Sequence, residues 1–151
     1  MKSKNITTYF WKNFRSFLPA IVWMVVIFFF SSRPRVVFSE DDLVNFLFFK
    51  SLHVIEYTVL SILYYLGVVK FEFDFKINKI IKNFKKIKFN FQSFELASFL
   101  TILYALSDEY HQTFVPGRFG TIRDVAIDSI GILICYFILK KISLKETNLR
   151  I

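Results

Sequence analysis

Residues Ser51–Val69 read SLHVIEYTVLSILYYLGVV, with a His and a Glu near the start and then thirteen residues, 57–69, without a charge. A run of this kind approaches the ~20 residues that cross a ~30 Å hydrocarbon layer at ~1.5 Å per residue. Three further stretches match it. Residues 13–31 are uncharged over 17–30, residues 91–107 are most apolar over 94–106, and residues 121–139 close the set. Four apolar stretches in 151 residues, with no alternating strand pattern between them, predict an all-α polytopic membrane protein forming a single domain over 1–151.

Composition agrees. The chain is 54% hydrophobic and 20% aromatic with a mean hydropathy of +0.45, against about 45–50% apolar in a soluble domain. Twenty-one Phe beside only 4 Gly and 3 Pro exclude a disordered or collagenous chain. The single cysteine, Cys135, excludes an internal disulfide framework.

Charge sets the expected orientation. Residues 1–15 carry net +4, residues 70–93 net +5 and the tail from Lys140 net +3, so these segments hold +12 and the rest of the chain −4. Basic segments separated by pairs of spans belong on one side, and the positive-inside rule makes that side cytoplasmic. Both termini are then inside, and the loops 32–50 and 108–120 face outward. No small-residue cleavage site follows the first stretch, which therefore reads as an uncleaved span. Within 70–93, Ile77, Ile80, Ile81, Phe84 and Ile87 recur at helical spacing among Lys79, Lys82, Lys85, Lys86 and Lys88. That pattern predicts a short amphipathic helix on anionic inner-leaflet lipids, with the bilayer and no nucleic acid as partner.

The polar residues of the spans gather at one end. His53, Glu56 and Tyr57 share a face at i, i+3 and i+4, and Asp108, Glu109 and Gln112 close the third span. Arg123 and Asp124 open the fourth, where Asp124, Asp128, Gly131 and Cys135 form a stripe; Ser31 and Ser32 end the first. In the expected topology all lie toward the outside. Five carboxylates (Glu56, Asp108, Glu109, Asp124 and Asp128) then meet His53, Arg118 and Arg123. A surplus of negative charge in low dielectric must be protonated, metal-bound or matched by a ligand cation. His53, Glu56, Asp108, Glu109, Asp124 and Asp128 are the candidate catalytic groups, and Ser32, Tyr57, Gln112, Arg118 and Arg123 the candidate substrate contacts. A divalent metal is chemically allowed, though the spacing matches no strict ligand signature.

The segment SDEYHQTFVPGR at 107–118, followed by Gly120, Asp124, Asp128 and Gly131, resembles the VanZ-like family of small membrane proteins. Phe29-Phe30-Ser31-Ser32 and His53-x-x-Glu56-Tyr57 extend the resemblance to all four spans in order. It implies a multi-pass plasma-membrane protein of the cell envelope, in a family whose named member is associated with resistance to teicoplanin. It implies no particular reaction. Two functions fit the residues. One is an outer-leaflet hydrolase or transferase acting on a lipid-linked or envelope substrate, with His53 or Glu56 as base and the arginines holding a phosphate or carboxylate. The other is a binding protein that sequesters such a molecule without chemistry. Ion transport would need polar groups at several depths, and the inner halves of the spans offer almost none.

Overall fold

The computed structural model describes residues 14–34, 40–76 and 89–148, and places them in four α-helices and one 3-10 turn, with no strand among them. The turn, Arg15–Phe17, leads into α1, Leu18–Ser31; α2 is Asp42–Lys76, α3 Phe91–Gln112 and α4 Ile122–Asn148. Each start has a local cause. Pro19 sits in the first turn of α1, where its missing N–H costs nothing. The Asp41 carboxylate accepts the Leu43 N–H at 2.8 Å, and the Asn90 side chain accepts the Gln92 N–H at 3.0 Å. Thr121 Oγ1 accepts the Asp124 N–H at 3.3 Å. These are N-caps, which occupy amide groups that the first turn of a helix leaves unpaired.

Boundaries differ from the sequence reading at most helix ends: the second helix runs on to Lys76, and the fourth, expected to end at 139, runs to Asn148. The helix expected over 51–69 begins at Asp42, so 42–50 is helical and not an outer loop. The helix expected over 91–107 runs to Gln112, which puts Asp108, Glu109 and Gln112 on its last turn. The amphipathic helix expected among the lysines falls largely on 77–88, outside the described residues, as do residues 1–13 and 149–151. Among the described residues one helix segment, Asp42–Phe71, is long and apolar enough by itself to cross a membrane; Arg15–Ser31 is a shorter apolar segment.

α2 is the centre of the bundle and contacts α1, α3 and α4. The buried face of α3 carries Ser93, Ala97, Thr101 and Ala105, small residues four apart. α2 meets α4 at Gly131, whose position lies so close to the α2 backbone that a Cβ there would stand 2.7 Å from Thr58 N. α1 is held by polar side chains: Trp23 donates to the Glu56 carbonyl at 2.9 Å, and the Tyr104 hydroxyl to the Met24 carbonyl at 2.6 Å. At the end away from the site, Tyr65, Phe89, Phe94 and Tyr136 pack together with ring centroids 5.5–6.1 Å apart.

Beside an apolar core that includes Ile27, Tyr57, Leu60 and Tyr65, the bundle buries polar groups and exposes apolar ones. His53, Asp108, Glu109, Gln112, Asp124 and Asp128 are buried, whereas Val25, Ile55, Phe99, Leu133 and Phe137 are 58–66% exposed. Every helix turns an apolar face outward.

Candidate functional site

The polar end is built by the second to fourth turns of α2, the last turn of α3, the first two turns of α4 and the segment 113–121. That segment is short and tied down. Gly117 takes φ 76°, a left-handed conformation that glycine accepts without strain, and Thr121 N–H donates to Glu109 Oε2 at 3.0 Å. Gly120 lies against the Glu109 carbonyl, where a Cβ would overlap it. The end of α3 is thereby fixed to the start of α4.

Two cavities open at this end. The first, about 510 Å³, is lined by Asn45, Phe46, Lys50, His53, Arg118 and Asp124 among others. The second, about 430 Å³, lies between the end of α1 and the first half of α2 and includes Ser31, Leu52 and Glu56. Phe49, His53 and Arg118 belong to both walls.

Most of the expected residues converge here. Lys50 Nζ meets Asp124 Oδ1 at 2.9 Å. His53 Nδ1 lies 3.8 Å from Asp128 Oδ1 and 3.9 Å from Glu56 Oε2, so the three groups face one another beyond hydrogen-bond length. Tyr57 and Gln112 both donate to Asp108 Oδ2, at 3.3 and 3.0 Å. Arg118 donates from Nε to the Arg33 carbonyl at 3.0 Å and from Nη2 to the Phe30 carbonyl at 3.4 Å, bracing the end of α1. The acidic neighbours Asp108 and Glu109 part company, because consecutive helical residues point about 100° apart. Asp108 turns to α2 and Glu109 to Thr121. Burial raises the Glu109 pKa, and the hydrogen bond from Thr121 opposes it.

Two expected contacts sit at the rim. Arg123 is exposed, with its guanidinium 5.0 Å from the Phe46 ring centroid. Ser32 Oγ is 3.0 Å from His111 Nε2, whose ring lies 4.5 Å from that of Phe28. The sequence reading assigned no role to His111, Lys50, Asn45 or Thr121. Lys50 was legible in principle, one turn before His53 and two before Tyr57 on the same face.

Several polar atoms at this end are buried without a hydrogen-bond partner: His53 Nδ1, both carboxylate oxygens of Asp128, Asp108 Oδ1, Glu109 Oε1 and Ser31 Oγ. Leaving such a group unsatisfied costs about 1–3 kcal/mol. Among the described residues, His, Cys, Asp and Glu do not gather in a group of three that could hold a metal ion. The site chemistry available from the chain is acid–base exchange at His53, Asp128 and Glu56 beside cations that can hold an anion.

A family model described as VanZ/LLP1 matches residues 16–144, most of the chain and all four helices. No curated protein and no solved structure matches it.

Proposed function

The chain belongs to the VanZ/LLP1 family, and from that membership and the exposed apolar faces of the helices we propose a multi-pass plasma-membrane protein of the cell envelope. Its apolar outer faces meet lipid along all four helices, both termini are cytoplasmic, and the polar end faces outward. The first cavity receives the anionic head of a lipid-linked envelope compound. Lys50, Arg118 and Arg123 hold the anion by charge-assisted hydrogen bonds, and His53, opposite Asp128 and Glu56, exchanges a proton with it. The observation that carries this reading is the buried, unpartnered Nδ1 of His53, which lines the cavity beside Lys50 and Arg118 and faces an equally unpartnered Asp128 carboxylate behind the wall.

Lipid-linked wall precursors incubated with purified protein, with and without chelator, and analysed by mass spectrometry test it. A new product that disappears with His53→Asn supports acid–base chemistry. The 3.8 Å gap between His53 and Asp128 favours a second reading, capture without chemistry. On that reading the precursor is recovered bound and unchanged. Either activity would keep a teicoplanin-type glycopeptide from its precursor target. Asp124→Asn or Glu56→Gln should then abolish lowered susceptibility while membrane abundance stays near wild type.

A further inference from the structure

The second cavity has two unlike walls. Its inner wall carries His53, Glu56, Arg118 and Ser31, and Ser31 is 2% exposed with its hydroxyl unpartnered. Its outer wall carries Phe30, Phe48 and Leu52, which are 40–49% exposed on the outside of the bundle. The cavity therefore runs from the polar centre to the lipid-facing surface between α1 and α2. Since the first cavity shares Phe49, His53 and Arg118 with it, an amphipathic molecule can touch both.

Charge and hydrogen-bond capacity narrow the head group. Together the two linings carry Arg33, Lys50, Arg118 and Arg123 against Asp124 and Glu56, so the walls themselves hold two more cations than carboxylates, with Asp108, Glu109 and Asp128 buried behind them. Arg118 spends two of its N–H groups on the Phe30 and Arg33 carbonyls. A guanidinium has five, so three remain. An excess of two cations on the walls and three unspent guanidinium N–H groups suit a phosphomonoester or diphosphate better than a single carboxylate.

We propose that the second cavity is a side portal through which a phosphate-headed lipid enters from the bilayer, its head resting on Arg118, Lys50 and Arg123 and its chain leaving past Phe48 and Leu52. This rests on the membrane placement and head-group site proposed above, and adds to them the route and the ligand class. Arg118 is the hinge point of the arrangement: it braces the α1 end of the portal and presents its remaining N–H groups to the head.

The test uses purified full-length protein in detergent and three probes: phosphatidic acid, glycerol 3-phosphate as the same head without chains, and diacylglycerol as the chains without the head. Binding is read by native mass spectrometry. Phosphatidic acid should bind at least about tenfold more tightly than glycerol 3-phosphate, the equivalent of two buried methylenes. Leu52→Trp and Leu52→Lys, both at an exposed position, should remove that advantage, whereas Leu133→Trp on the outer face of α4 should keep it. Arg118→Gln should weaken both phosphate probes, and diacylglycerol should bind least. Equal binding of the two phosphate probes, or an undiminished advantage in both Leu52 variants, overturns the portal and leaves the head-group site standing. Phosphate probes that bind regardless of Arg118, or do not bind at all, overturn the head-group site as well.

Discussion

Replacing Gly131 by alanine sets two effects against each other. In an exposed helix alanine is worth about 1 kcal/mol over glycine, so propensity alone favours the variant. At this position the new Cβ would stand 2.7 Å from Thr58 N, 2.8 Å from Val54 O and 3.0 Å from the Tyr57 carbonyl carbon. All three are backbone atoms inside α2, and helical backbone cannot swing aside as a side-chain end can. The two helices must part by roughly 0.7 Å before the closest contact reaches the ordinary range, which starts at 3.4 Å. Overpacking of this kind costs about 1–3 kcal/mol, so a central value of ~2 less the propensity gain leaves a net loss of about 1 kcal/mol. At ~3 °C per kcal/mol for a chain of this length, Tm should fall by about 3 °C. His53 and Asp128 face each other across the same interface one turn away, at 3.8 Å. Any turnover or ligand affinity should therefore fall further than stability does. Thermal unfolding of detergent-purified wild type, Gly131→Ala and Gly131→Leu measures the series, with leucine expected to be the worst. A Gly131→Ala protein as stable as wild type, or more stable, would refute the close crossing of α2 and α4.

Three other outcomes are expected. Lys50→Met leaves Asp124 without its ion-pair partner and should cost about 3 kcal/mol, with Asp124→Leu in the same chain recovering much of the loss; an additive double variant contradicts the pairing. The Glu109 pKa is raised above its ordinary 4.5 by burial, so its contribution to stability is full below that value and is lost as pH rises through the folded one. Glu109→Gln should accordingly melt higher than wild type at pH 8 but not at pH 4, and a pH-independent difference would count against the burial argument. In a Cys135→Ala background, an impermeant thiol reagent should label Phe119→Cys but not Lys140→Cys in intact cells, and the reverse pattern would invert the topology.

The apolar runs carried the four helices and their order, because a helix buried in a bundle leaves its signature in hydropathy whatever surrounds it. The face shared by His53, Glu56 and Tyr57 and the stripe Asp124, Asp128, Gly131 and Cys135 were legible for the same reason, since both are one-helix periodicities. Helix ends were not. Asp42 to Lys50 carries charges at both ends and follows the polar run Ser39-Glu40-Asp41, so it reads as a loop; the Asp41 cap and the packing of Phe46 and Lys50 over the fourth helix make it helical. Asp108, Glu109 and Gln112 read as the polar end of a span, yet Tyr57 and Thr121 give two of them partners and let the helix continue. Lys50 enters the cluster for that reason and reduces the carboxylate surplus expected from the sequence by one. The second cavity needs α1, α2 and Arg118 at once, and no single-helix pattern encodes a meeting of three separate segments.

The tie between α3 and α4 has a bearing on engineering. By exposure, residues 113–121 look like a natural place for an epitope tag or a fused reporter, with Phe114 and Phe119 at 69% and 80%. The backbone says otherwise. Val115 is buried and its N–H bonds the Gln112 carbonyl, Arg118 N–H bonds Val115, Thr121 N–H is committed to Glu109, and Gly120 has no room for a side chain. An insertion here would lengthen the one strap that sets the spacing between the Asp108 and Asp124 turns. The segment is accessible to reagents and closed to grafts, so a single-residue label suits it and an inserted domain does not.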